Sequence, residues 1–164
     1  MNVGEITINA EASNSIGNDT PTTIDQISKE LDSIAWRYTK TEKKIEFRFP
    51  ARPFTGRCVA RLHGDHNLLM LVTFGFFVPD HGRLAVQSLM NRLNWNLLAG
   101  NFEMDEADGE VRLRYTYPLV NGLCDAERAV ASIRHLCSIA TEYAPELLQT
   151  IPPFTTASSC SESA

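Results

Sequence analysis

Hydrophobic positions along the chain fall into blocks of two different periods, and the blocks set the expected elements. Ile24, Ile27, Leu31, Ile34, Ala35 and Tyr38 recur at helical spacing behind Thr23, which stands at capping-box distance from Gln26, so a helix is predicted over about 23–39. Ile45, Phe47 and Phe49 then alternate with Lys44, Glu46 and Arg48, the pattern of a strand with one wet face, ended by Pro50 and Pro53. Residues 57–63 alternate again and pass through Gly64-Asp65-His66-Asn67 into LLMLVTFGFF, which reads as a hairpin. Leu68 to Phe77 is apolar on both faces. In an antiparallel sheet this predicts a central strand whose second face is also covered, by a helix, a tail or a second subunit.

Beyond Pro79, Ala85, Val86, Leu89, Met90, Leu93 and Leu97 lie on one helical stripe, with Asp80 placed to cap its start. Leu98, Gly100, Phe102 and Met104 alternate up to Asp105-Glu106-Ala107-Asp108-Gly109, and Val111, Leu113, Tyr115 and Tyr117 alternate after it, a hairpin closed on an Asp-Gly turn. Ala129, Val130, Ile133, Cys137, Ala140, Ala144 and Leu148 place a last helix between about Cys124 and Leu148, which Pro145 should kink or divide. The predicted class is α+β, in the order α-β-β-β-α-β-β-α, with antiparallel hairpins in place of parallel crossovers. One domain spans 22–151. The polar stretches 1–21 and 152–164 read as flexible tails. Val3, Ile6 and Ile8 alternate in the first tail as an edge strand would, although an unanchored terminus is more often disordered.

Charge changes the picture locally. The whole chain carries 15 Lys and Arg against 20 Asp and Glu, a net −5 that argues against a protein coating DNA or an anionic membrane. Residues 37–61 are nevertheless strongly basic. If Lys44, Arg48, Arg57, Arg61, Arg112 and Arg114 share one sheet face, as strand parity permits, the protein presents a basic surface able to dock an acidic peptide or a nucleic acid. A solvated face accounts for the same charges, and stacking on single-stranded nucleic acid would need aromatics where Phe47 and Phe49 are expected to point inward. No apolar run is long enough for a membrane-spanning helix and no basic, then apolar leader opens the chain, so the cytosol is the expected compartment. Cys58, Cys124, Cys137 and Cys160 are far apart and are expected to be reduced thiols.

The stretch VPDHGRLAVQSLMNRLNWNLLAGNFEMDEADGEVRLRYTYPLV, followed by the Cys124–Leu148 helix, resembles the YbjN family of bacterial proteins, described as sensory-transduction regulators. The residues that carry the resemblance are Val78-Pro79 before the helix, Leu93-Asn94 late in it, Gly100-x-Phe102 opening the hairpin and Asp108-Gly109-Glu110 at its turn. It covers 78–148 by residues and 23–77 by pattern. The resemblance implies a fold like that of type III secretion chaperones, with helices on a curved antiparallel sheet, subunits that pair, and binding of protein partners without nucleotide or metal. It implies no catalytic residue and no cofactor. On that analogy, and because the second helical stripe is rich in apolar residues, Ala85, Leu89 and Leu93 become the candidate homodimer interface. The basic 37–61 segment and the polar tails depart from the family pattern and leave the partner open.

Catalytic chemistry has little to stand on. His63-x-x-His66, with Asp65 and His81 nearby in sequence, has metal-ligand types but sits in a predicted turn and matches no established ligand spacing. The acidic run 105–109 lacks the alternating ligands and distal Glu of a calcium loop. Nucleophile-elbow, phosphate-loop and zinc-protease patterns are not found. The sequence therefore predicts a non-catalytic protein-binding module, chaperone-like or regulatory. A nucleic-acid-binding regulator using the basic face is the first alternative, and a metal-dependent enzyme at His63 and His66 a remote one.

Overall fold

Each alternating block becomes a strand of one sheet, and each helical stripe packs on the same side of it. The computed structural model describes residues 22–153. The predicted tails, 1–21 and 152–164, and the Val3, Ile6, Ile8 alternation lie outside the described residues, except for the pair 152–153. The elements are α1 (Thr23–Ser33), β1 (Thr39–Thr41), β2 (Lys44–Ala51), β3 (Phe54–His63), β4 (Asn67–Phe77), α2 (Asp80–Asn96), β5 (Asn101–Met104), β6 (Glu110–Pro118) and α3 (Ala126–Gln149). The expected order holds, with a three-residue edge strand, β1, added to it. All neighbours in the six-stranded sheet are antiparallel, in the order β1-β2-β3-β4-β6-β5.

Local chemistry explains where the elements depart from the sequence reading. The capping box of α1 runs from Thr22 to Asp25, one residue ahead of the expected pair. The helix stops at Ser33, well short of 39, because Ala35 turns to a φ of 57° and releases Trp36 and Tyr38. The Tyr38 hydroxyl then donates back to Ser28 O and to Asp32, tying the released chain to the helix. Pro50 does not end β2. The Leu62 amide donates to Lys43 O, which puts the odd-numbered residues of β2 in hydrogen bonds with β3 and leaves the nitrogen of Pro50 on the free edge. Pro79, and not Asp80, is the N-cap of α2; Asp80 lies in the first turn and pairs with Arg83 at 2.8 Å. Pro145 neither ends nor divides α3, where it removes a single intrahelical donor.

The core lies between one sheet face and the helices. Ile45, Phe47, Cys58, Ala60, Leu68, Met70, Val72, Phe74, Phe102, Val111 and Leu113 alternate inward and form one cluster with Ile24, Ile27 and Leu31 of α1, Val86, Leu89, Met90 and Leu93 of α2, and Ile133, Leu136 and Ala140 of α3. The Cys58 thiol sits beside Cys137 inside it. Their contact, together with burial, raises the Cys58 pKa, as expected of inert core thiols.

The rim of the sheet is treated unevenly. Along β5, the Asn94 side chain of α2 accepts from the Phe102 amide at 2.7 Å and donates to the Phe102 carbonyl at 3.1 Å, so one carboxamide takes the place of a neighbouring strand. No helix of the described residues is long and apolar enough to cross a membrane.

Candidate functional site

The second face of the sheet is the candidate. Register places Lys44 opposite Arg61, Arg48 opposite Arg57, Arg57 opposite Thr73, and Arg114 opposite Leu71, while Arg112 faces Thr73 from the other side. All six predicted basic residues therefore lie on one face. Helices pack on the other, whose residues alone share their cluster, so the expected cover for the second face of β4 is not a helix among the described residues. Leu69, Leu71 and Val59 run down the middle of this face, where Leu69 is only 5% exposed. After a register shift in β4 between Thr73 and Phe77, Phe77 comes opposite Glu110 and stands 58% exposed at the end of the apolar line.

Two carboxylates subdivide the charge. Glu46 accepts from Arg57 Nε at 2.7 Å and from Lys44 Nζ at 2.9 Å; these bonds hold its carboxyl down to about 2. Burial works against ionisation of Glu103, but its bonds with Arg112 and Asn101 outweigh this, and its pKa is lowered. Arg114 adds a longer contact to Glu103 at 3.4 Å. Arg48 and Arg61 make no ion pair among the described residues and are exposed. The face thus carries an apolar line, two internally neutralised clusters and two free guanidiniums. Sequence parity identified the cations, whereas the pairing of Glu46 and Glu103 with them depends on cross-strand register that only the fold supplies.

The Glu46 pairing makes a pH prediction. A carboxyl whose folded pKa lies below its unfolded value stabilises the fold above the unfolded value and loses that contribution as pH falls through the folded one. Glu46→Gln should therefore cost up to about 1 kcal/mol near neutrality, as for a partly exposed ion-pair cluster. That difference should shrink between the ordinary carboxyl value of 4.5 and about 2, as read by urea unfolding of both proteins across that range.

Other expected sites fare differently. Leu89 and Leu93 are 4% and 8% exposed within the chain's own core, so they are not available to a second subunit, and Ala85 is half-buried. The sequence stripe marked the helix face that packs inward. Opposite it, about 160–180° around the helix at 100° per residue, α2 exposes Leu84 and Trp95, at 80% and 89%. His63 ends β3 and His66 lies in the following turn, and no three His, Cys, Asp or Glu side chains gather as a metal site among the described residues. The acidic run 105–109 is a turn: Asp105 Oδ1 accepts from Ala107 N, Asp108 Oδ1 from Glu110 N, and Gly109 takes a φ of 80°.

Residues 23–149 match the model of the YbjN family, described as "Putative bacterial sensory transduction regulator". The crystal structure of an uncharacterized protein from Methanothermobacter thermautotrophicus is similar at 13% identity and a TM-score of 0.46, over 79% of this chain and 99% of that one. No curated protein matches.

Proposed function

Because the chain belongs to the YbjN family, a family of regulators, we propose that it is a non-catalytic protein-binding module whose open sheet face docks an acidic, partly apolar segment of a regulatory partner. The observation that carries this reading is the combination on that face of two unpaired guanidiniums, Arg48 and Arg61, with the apolar line from Val59 to Phe77. A purely solvated face has no use for the exposed phenyl ring of Phe77, while an acidic segment with apolar side chains uses both features at once. The reading calls for no cofactor and places the protein in the cytosol. It also expects two copies to pair, with Leu84 and Trp95 of α2 supplying the apolar surface in place of Ala85, Leu89 and Leu93.

Capture from native lysate with wild-type chain and with Arg48→Glu/Arg61→Glu, each with and without nuclease, tests it. A protein retained by wild type after nuclease and reduced at least about tenfold by the double reversal is the expected result, since close charge pairs turned repulsive cost well over 1.4 kcal/mol. Recovery of nuclease-sensitive material alone would replace this reading by nucleic-acid binding, whose affinity should then fall steeply with salt.

A further inference from the structure

We infer that the rim of β2 beyond the end of β1 binds an extended segment of the partner, one acidic residue between two apolar ones, as an added strand in line with β1. The inference rests on the reading above for the partner's chemistry, and it adds a rim and a residue, Arg37, that the reading does not use. β1 pairs with β2 only as far as Thr39 opposite Glu46; the connection that leads there from the left-handed turn at Ala35 runs free of β2. Odd-numbered residues of β2 bond to β3, so the N–H and C=O of Arg48 and the C=O of Pro50 point out to the rim. None of the three has a hydrogen-bond partner among the described residues.

Two cavities of about 390 and 290 Å³ occupy the wedge where the two chains part, the first between residues 37–39 and 46–48, the second between 35–37 and 47–50. Alternation sorts their walls. Thr39 stands opposite Glu46 on the basic face, so Arg37, two residues earlier, keeps that parity and borders both cavities with Arg48. Trp36 and Tyr38 have the opposite parity and turn toward the helices, where the Trp36 ring lies 4.9 Å from that of Phe47 and the Tyr38 hydroxyl bonds to α1. Arg37 and Arg48 are exposed, and neither makes an ion pair among the described residues.

These groups select the occupant. A small anion or a nucleic-acid phosphate would suit the guanidiniums and the Arg48 N–H, but its charge would face the two bare carbonyls. A peptide running antiparallel to β2 satisfies all three: its residue opposite Arg48 exchanges both bonds, and its residue opposite Pro50 donates to the remaining C=O. The side chain opposite Arg48 then falls on the basic face beside Arg48 and Arg37, where a carboxylate is complementary. Its two neighbours fall on the other face, toward the half-buried rings of Trp36 and Phe49, where apolar side chains fit.

Selection of a displayed library of random twelve-residue peptides on the wild-type chain tests this. The expected consensus is an Asp or Glu with an apolar residue on each side. The synthesised consensus peptide should slow exchange of the Arg48 amide at least about tenfold, and Arg37→Glu, with an unchanged thermal midpoint, should weaken its binding at least about tenfold. A library without that consensus, equal binding by Arg37→Glu, or an Arg48 amide indifferent to the peptide would each overturn the inference. Arg61→Glu separates it from the broader reading. Peptides weakened by Arg61→Glu and not by Arg37→Glu would leave the open-face reading standing and sink the rim, whereas the reverse pattern would keep the rim and remove Arg61 from the site. A twelve-nucleotide oligothymidine that protects the Arg48 amide better than the peptide does would also overturn it, in favour of nucleic acid.

Discussion

Gly109→Ala is expected to destabilise the protein by about 3 kcal/mol or more, lowering the thermal midpoint by roughly 10 °C. Two costs combine. A left-handed backbone, here with a φ of 80°, penalises an alanine by about 1–2 kcal/mol. The added methyl would also be driven into the backbone of Val78, against its carbonyl oxygen, carbonyl carbon and nitrogen, and backbone cannot rotate aside as a side chain can. Relief requires the β5–β6 turn to part from the entry to α2, breaking the 2.9 Å bond from the Val78 amide to Gly109 O, for about another 1 kcal/mol. Gly64→Ala isolates the first cost. Its φ of 62° is equally left-handed, but nothing lies within 4 Å of the new methyl, so about 1 kcal/mol is expected. Chemical denaturation of the pair separates conformational strain from collision, and similar losses at the two sites would refute the role of Val78.

Phe74→Ala should cost about 3–5 kcal/mol, the usual range for emptying a buried phenyl site. Phe74 is 1% exposed and its ring meets those of Phe54, Phe76 and Phe102 at 5.9, 5.9 and 6.0 Å, so one truncation removes the centre of an aromatic group joining β3, β4 and β5. Phe77→Ala, three residues on, should change stability by no more than about 0.5 kcal/mol, because its ring already faces solvent. On the reading proposed above, Phe77→Ala weakens partner capture while the fold is untouched. Equilibrium unfolding of both variants checks the division, and a large loss of stability at Phe77 would show that this ring belongs to the fold.

Much of this architecture is legible in the residues. Period-two alternation located the strands, the apolar stripes located α2 and α3, and the parity of Lys44, Arg48, Arg57, Arg61, Arg112 and Arg114 placed them on one face, as the register confirms. What escaped depends on geometry that pattern does not encode. Helical spacing continues through Ile34 and Tyr38, but the left-handed turn at Ala35 is a tertiary choice that swings Trp36 onto Phe47, with ring centroids 4.9 Å apart. Pro50 reads as a strand breaker unless the direction of its missing N–H is known. Leu89 and Leu93 show the limit most plainly, since an apolar stripe announces burial without saying whether the burying surface is the chain itself or another molecule. The apolar residues that α2 leaves exposed, Leu84 and Trp95, interrupt its polar side, and the sequence pattern gave them no emphasis.

The carboxamide of Asn94 bears on how this protein behaves when crowded. Sheets polymerise when two complementary rims can meet repeatedly, and a chain ending in β5 with a bare backbone would offer one such rim along its length. By saturating Phe102, Asn94 takes away the middle of that rim, and the remaining stretch from Tyr115 to Pro118 is too short to template a growing ribbon. Asn94→Leu would keep much of the side-chain volume while exposing both backbone groups. The expected consequence is colloidal, a greater tendency of the variant to associate edge to edge through the β5 rim.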